Sequence, residues 1–216
     1  MIPAHFIRRN NRFVAEVEVD GNKTLVYVPT TSRLTELFFR GNKVLLKDHG
    51  KGKRKYRYSI EGVLKGDYFL SINSTLPNKL FKESYQKGEL PFLGLEGEVQ
   101  SEVRVSDKSR LDFKIGNTYI EVKGVTLEQG GISYFPGSPT TRGIKHLHEL
   151  AKLSKSSRAM IVYIVLVKCQ AFSLNPKDKA YKETFLSLED KVELFALAYE
   201  DFPKPIFKGE LPFLLE

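Results

Sequence analysis

The pair Gly116-Asn117 lies between two apolar, β-prone runs, Ser109-Arg110-Leu111-Asp112-Phe113 and Tyr119-Ile120-Glu121-Val122-Lys123. Gly-Asn in such a setting specifies a hairpin connection, which fixes strand direction and strand faces at once. Residues two apart in a strand share a face, so Glu121 and Lys123 emerge together while Val122 points the other way. Asp112 is likewise polar between apolar Leu111 and Phe113. The hairpin therefore predicts Asp112, Glu121 and Lys123 on one patch. A plain cross-strand ion pair on a half-exposed sheet would look the same, and would contribute about 0.2–1 kcal/mol.

The surrounding periodicity narrows the choice. Residues 78–86 have Leu80, Phe81, Ser84 and Tyr85 on one helical face, and residues 99–105 alternate as a strand. After the hairpin, residues 140–153 form a helical pattern carrying Ile144, Leu147, Leu150, Ala151 and Leu153. Residues 159–167 are nearly continuous in apolar, β-branched types, as in a strand covered on both faces. The order α-β-β-β-α-β, with an acid on the second strand and acid-X-lysine on the third, resembles the core of the PD-(D/E)XK restriction-endonuclease-like fold. Leu111 stands where that motif has proline. The resemblance implies Asp112 and Glu121 as ligands of Mg²⁺ or Mn²⁺, with the Val122 carbonyl as a third protein oxygen. It implies Lys123 beside the attacking water. Glu102 is either a further ligand or a surface partner of Arg104 or Arg110. His146 and His148 diverge on a helix, where only neighbours three or four apart share a face, so they do not form a metal pair.

At 216 residues and 41% apolar composition the chain has the make-up of a globular protein. No apolar run approaches the ~20 residues of a membrane-spanning helix, and the start lacks signal-peptide character; the expected location is the cytoplasm. The single cysteine, Cys169, excludes a disulfide framework and is expected to be a small buried residue. The net charge of +8 is unevenly placed. Residues 1–80 hold 15 Lys and Arg against 7 Asp and Glu, and the remainder holds 19 of each. Such segregation predicts a polyanion-binding module joined to an electrically balanced one.

That module, residues 1–76, reads as all-β. Strands are expected over 12–19, 23–28, 44–47, 54–64 and 68–72, with a short helix over 34–39. Five strands and a helix suit a small closed barrel of the OB type, with an SH3-like barrel as the alternative. Lys51, Lys53, Arg54, Lys55 and Arg57 crowd a glycine-rich loop around Tyr56 and Tyr58. Cations answer phosphates and aromatic faces accept unstacked bases, although tyrosines at a strand start can equally point into the barrel core. Residues 77–216 form the second domain. The echo of Leu90-Pro91-Phe92-Leu93 in Leu211-Pro212-Phe213-Leu214 is too short for a structural repeat.

A longer signature runs through Ser109–Phe113, Tyr119–Lys123, Val125-Thr126-Leu127, Phe135-Pro136, Pro139-Thr140, Arg142-Gly143, Lys145-His146-Leu147 and Glu149-Leu150. With Arg12-Phe13, Arg33, Lys55, Asn73 and Pro77-Asn78, it closely resembles the sugar fermentation stimulation protein A (SfsA) family. That resemblance implies an N-terminal OB-type barrel, a nuclease-like second domain and DNA binding. The residues expected to meet nucleic acid are Arg12, Arg33, Lys51, Lys53, Arg54, Lys55, Arg57, Arg110, Arg142, Lys145 and His146. Three departures stand out: Thr30-Thr31-Ser32-Arg33 for Asn-Thr-Gly-Arg, Gly124 after the lysine for Ser or Asn, and Phe135-Pro136-Gly137 for Phe-Pro-Asp. Two functions follow from these readings, a Mg²⁺-dependent nuclease, or a non-cleaving DNA-binding regulator linked to sugar (maltose) metabolism.

Overall fold

A ten-residue strand, β1 (Ile2–Asn11), organises the first part of the chain in the computed structural model, which describes residues 1–30, 32–50, 52, 54–107 and 109–215. Its first half pairs with β4 (Lys43–Asp48) and its second half with β2 (Val14–Val19), both antiparallel. The turn Asp20-Gly21 leads into β3 (Asn22–Tyr27), while β5 (Tyr58–Lys65) and β6 (Tyr68–Ser71) continue from β4. A parallel bridge, Tyr27 to Ser59, joins β3 to β5 and closes five strands into a barrel. Alternate residues fill it, among them Phe6, Val17, Val26, Val44, Leu46, Ile60 and Val63.

Three details differ from the sequence reading. The barrel begins with β1, ten residues before the expected first strand, because Arg8-Arg9-Asn10-Asn11 interrupts the alternation that Ala4 and Phe6 begin. Two register shifts, between Phe6 and Arg8 and between Arg9 and Asn11, accommodate that polar run. Residues 34–39 make only a hydrogen-bonded turn, Phe38 N to Leu34 O at 2.8 Å, with Leu34 at φ +48°. Strand β5 starts at Tyr58, so Arg54–Arg57 precede the ladder.

The chain divides into two compact units, Met1–Leu76 with Asp201–Pro205, and Pro77–Glu200 with Ile206–Glu216. The short returning segment brings Phe202 onto the barrel at Gly62, where a Cβ would lie 2.6 Å from the phenyl ring. Phe69 meets the same ring at 6.3 Å between centroids.

The second unit opens with α1 (Leu76–Gln86) and a 3₁₀ turn at Pro91–Leu93. A meander follows: β7 (Val99–Ser106), β8 (Ser109–Ile115) and β9 (Thr118–Val125). A hairpin, β10 (Leu127–Gln129) and β11 (Ile132–Phe135), precedes α2 (Thr141–Leu153) and β12 (Arg158–Val165). The expected α-β-β-β-α-β order is present with that hairpin inserted. Beyond it lie β13 (Ala171–Leu174), α3 (Lys179–Leu186), β14 (Glu193–Glu200), β15 (Ile206–Glu210) and β16 (Phe213–Leu214), none of which the periodicity indicated. The main sheet runs β15-β14-β12-β9-β8-β7, with β12 parallel to both neighbours. A smaller sheet runs β10-β11-β13-β16. Residues 159–165 of β12 are fully enclosed, as an apolar strand between two parallel partners must be.

The two Leu-Pro-Phe-Leu stretches take different forms, a 3₁₀ turn and a strand paired with β13. Cys169 is half-buried rather than buried, and burial still pushes its thiol above the ordinary range. Among the described residues no helix is long and apolar enough to cross a membrane.

Substituting Gly62→Val places methyl groups where Phe202 sits. Overpacking of this kind costs about 1–3 kcal/mol, so the variant should melt at lower temperature, and Phe202→Ala in the same background should recover part of the loss. Calorimetric melting of the three proteins checks this.

Candidate active site

The β8–β9 ladder closes only at its hairpin end, with Ile115 opposite Thr118, Lys114 opposite Tyr119 and Phe113 opposite Ile120. Beyond Phe113, β8 stays with β7 through Leu111, Arg110 and Ser109, while β9 runs on beside β12 as far as Val125. The sheet therefore opens between β8 and β9, and the first residues past the opening are Asp112 and Glu121. Asp112 spans the gap: its Oδ2 accepts the backbone N–H of Val122 at 2.8 Å, where a strand carbonyl would otherwise be needed.

Asp112 is held from a second side. Asn78, in the first turn of α1, donates its Nδ2 to Asp112 Oδ1 at 2.7 Å. Helix α1 comes this near because β9 carries Gly124, where a Cβ would lie 2.7 Å from Pro77 Cγ. Phe81 and Phe113, 5.3 Å between centroids, fix the next turn. The departure at Gly124 thus has a local cause in this chain, the close approach of Pro77.

Glu121 is fully buried. Its Oε1 accepts from Lys123 Nζ and from His146 Nδ1, and Lys123 Nζ lies 3.5 Å from His146 Nδ1. Helix α2 presents His146. Thr140 caps it by accepting the Gly143 N–H at 3.0 Å, and Gly143, His146, Leu147 and Leu150 recur at three- and four-residue intervals on its buried face. His148 is exposed, as the helical spacing requires. Deeper in the unit the hydroxyls of Tyr163 and Tyr181 meet at 2.7 Å. Burial raises Tyr181 well above its ordinary range, and the negative charge of Glu121 adds to the rise.

The two carboxyls are driven apart. Burial, then the charge of Glu121, pushes Asp112 up; the Val122 and Asn78 hydrogen bonds oppose this without cancelling it. Burial also acts upward on Glu121, but the His146 hydrogen bond and the Lys123 charge outweigh it and leave the carboxyl below its ordinary value. Glu121 Oε2 is buried and has no hydrogen-bond partner. An unpartnered oxygen on a buried carboxylate is costly, and such an atom calls for an ion or a water. Among the described residues no three His, Cys, Asp or Glu side chains gather as a ligand cluster, so the donors amount to a carboxylate pair and backbone. That set fits a hard cation that retains several waters.

The other expected site residues have different surroundings. Glu102 lies on β7 between the pairs Ser101–Phe113 and Val103–Leu111, opposite Asp112 in register, with φ +54° and an exposed side chain. Arg104 pairs with Asp107 at 2.8 Å rather than with Glu102. His146, expected to meet nucleic acid, is instead buried on Glu121. Arg57 is engaged by Asp48, at 2.6 Å, and holds that carboxyl down to about 2. Arg54 approaches the His49 ring at 3.1 Å, and Lys55 lies over Tyr56. Tyr56 and Tyr58 are half-buried, outside the barrel core. Arg110, Arg142 and Lys145 are exposed, and Arg12 and Arg33 line a cavity on the barrel. Lys51 and Lys53 lie outside the described residues. Sequence reasoning missed Asn78 and the partnership of His146 with Glu121; only the recurrence of Pro77-Asn78 and His146 in the family signature pointed to either.

Residues 7–72 match the family model described as the SfsA N-terminal OB domain, and residues 75–203 match the sugar fermentation stimulation protein RE domain. The chain belongs to the sugar fermentation stimulation protein family. A homologue from Caldanaerobacter subterraneus subsp. tengcongensis is 44% identical over 171 residues, 76% of this chain and 74% of its own. One from Clostridium tetani is 37% identical over 202 residues, 89% and 87% of the two chains. The solved structure of Pyrococcus furiosus SfsA in complex with Ca²⁺ is 30% identical, covers 99% of this chain and 96% of its own, and superposes with a TM-score of 0.88. The barrel is thereby of the OB type.

The electrostatic balance at Glu121 can be read from stability. A carboxyl below its unfolded value stabilises the fold above that value and loses the contribution as pH falls through the folded value. In His146→Ala only Lys123 opposes burial, so the Glu121 carboxyl moves up and less stability is lost on acidification. The stability gap between wild type and His146→Ala should narrow as pH drops from neutrality through the carboxylate range. Denaturant unfolding in EDTA at several pH values measures it; a constant gap would contradict the assigned role of His146.

Proposed function

We propose that this protein is a divalent-metal-dependent nuclease acting on DNA, with its basic barrel as the gripping module. The observation that carries the reading is Glu121 Oε2, a buried and unpartnered carboxylate oxygen beside a second carboxylate and a lysine. Asp112 and Glu121 would hold Mg²⁺ or Mn²⁺, with the Val122 backbone at the same point of the strand. A cation there would supply charge neutralisation at the scissile phosphate and a water of lowered pKa.

The chain's own groups perform the rest. Asn78 and the Val122 N–H fix both oxygens of Asp112, so that ligand is oriented before substrate arrives. His146 and Lys123 both engage Glu121 Oε1 and leave Oε2 without a donor among the described residues. Lys123 stands beside the carboxylates as a hydrogen-bond donor to phosphate oxygens, where developing charge needs it. The Ca²⁺ complex of the Pyrococcus furiosus protein supports a divalent cation for the family.

A second reading, DNA binding without cleavage, draws support from Lys123, whose ammonium is already engaged by Glu121 and stands beside His146. Cleavage would require it to exchange that carboxylate for substrate or metal.

Incubation with single- and double-stranded DNA and RNA, in Mg²⁺, Mn²⁺ or EDTA, separates the two. The nuclease reading expects metal-dependent cutting, lowered ~10²–10³-fold in Lys123→Ala, with Mn²⁺ binding by calorimetry retained there and lost in Asp112→Asn. Absence of cutting by wild type on every substrate would leave the binding reading.

A further inference from the structure

The barrel carries a second charged site, remote in sequence from the carboxylates. A cavity of ≈ 440 Å³ is lined by Arg9, Asn11, Arg12, Arg33, Thr35 and Phe38. Three guanidinium-bearing residues line it and, among the described residues, no carboxylate does. Like charges gathered in this way repel each other, and an anion relieves the repulsion.

The arginines have different duties. Arg9 is structural: its guanidinium donates to the backbone oxygens of Arg12, Thr30, Ser32 and Arg33, and it lies 5.3 Å over the Phe38 ring. It therefore ties together the two backbone segments that carry Arg12 and Arg33. The register shift between Arg9 and Asn11 interrupts the regular β1–β2 pairing at the residues that line the cavity. Burial, then the nearby Arg12, lowers Arg9 from its usual value, in keeping with positive charges held close together. Arg12 and Arg33 are exposed, and neither side chain makes a hydrogen bond or ion pair among the described residues. Asn11 uses its carboxamide oxygen on the Phe13 N–H at 2.9 Å, which leaves its amide group to donate.

We propose that this cavity is a recognition site for a phosphomonoester, the terminal phosphate of a nucleic-acid strand or of a nucleotide. Guanidinium forks match phosphate oxygens in pairs. A terminal phosphate carries close to two negative charges at neutral pH, its second pKa being about 6, and a bridging diester carries one. Two unpaired arginines held by a third answer the dianion. The cavity is a half-open pocket whose contacting groups, Arg12, Arg33 and the Asn11 amide, gather at one spot rather than along a track. Arg9 acts here as a positioning residue, and Arg12, Arg33 and the Asn11 amide as the contacting groups. The inference deepens the DNA-binding reading by adding recognition of a strand end, and rests on it for the source of the phosphate.

The test is fluorescence anisotropy with the full-length protein in EDTA, so that metal-dependent cutting cannot consume the probe. The probes are one single-stranded oligonucleotide carrying a 5′-phosphate, a 3′-phosphate or neither, with a free mononucleotide and inorganic phosphate as competitors. Wild type should bind one phosphorylated form about tenfold more tightly than the hydroxyl form, since a charge-assisted hydrogen bond of this kind contributes on that order. Arg12→Gln and Arg33→Gln, both at exposed positions, should each erase the preference while melting like wild type. Competition by the mononucleotide alone, with no preference among oligonucleotides, would assign the same site to free nucleotides. Equal binding of all probes without competition overturns the proposal, as does a preference that survives both substitutions. An equal fall for phosphorylated and unphosphorylated probes in the variants also overturns it, because the arginines then follow the diester backbone. Cutting in Mg²⁺ or Mn²⁺ is read separately, so a protein that cuts without the preference loses only this inference.

Discussion

The second unit is arranged around one constraint, the burial of the Glu121 carboxylate. A charge taken out of water needs partners, and each element near Glu121 answers part of that need. Lys123 comes from the same strand face, two residues on. His146 comes from α2, which is capped by Thr140 and bound to the sheet through Leu147 and Leu150. Both donors converge on Oε1, and Oε2 is buried with no partner among the described residues.

Asp112 solves a different problem. Where β8 and β9 separate, a backbone N–H of β9 loses its strand partner, and the Asp112 side chain takes that place. Its other oxygen is claimed by Asn78. The result is two neighbouring carboxyls with opposite displacements, Asp112 upward by burial and Glu121 downward through His146 and Lys123 despite burial. A pair divided in this way tolerates proximity without a cation and retains lone pairs for one.

The barrel distributes its positive charge less uniformly than its composition suggests. Arg57 is neutralised by Asp48 and Arg8 by Glu16, whereas Arg12 and Arg33 keep free guanidinium groups around a cavity. Net charge therefore describes the module, and pairing decides which cations a ligand meets. Arg54 and Lys55, from the densest basic run, are not among the described residues that line this cavity.

Much of this was legible in the sequence for a physical reason. Strand alternation has a period of two, and a Gly-Asn turn fixes the register, so Asp112, Glu121 and Lys123 could be placed together from local order alone. Helical spacing likewise separated His146 from His148, and apolar runs located β12 and α2. The small late elements escaped, because β13, α3 and β16 are short and their character comes from the partners that enclose them. Periodicity placed His146 on a helix but not on Glu121, and no local pattern joined Asn78 to Asp112 across 34 residues. Nor could it show that Gly124 admits Pro77, or that Arg9 ties Arg12 to Arg33. The sequence determined which side chains share a face; the tertiary structure decided which faces meet, because that depends on packing between segments far apart in the chain.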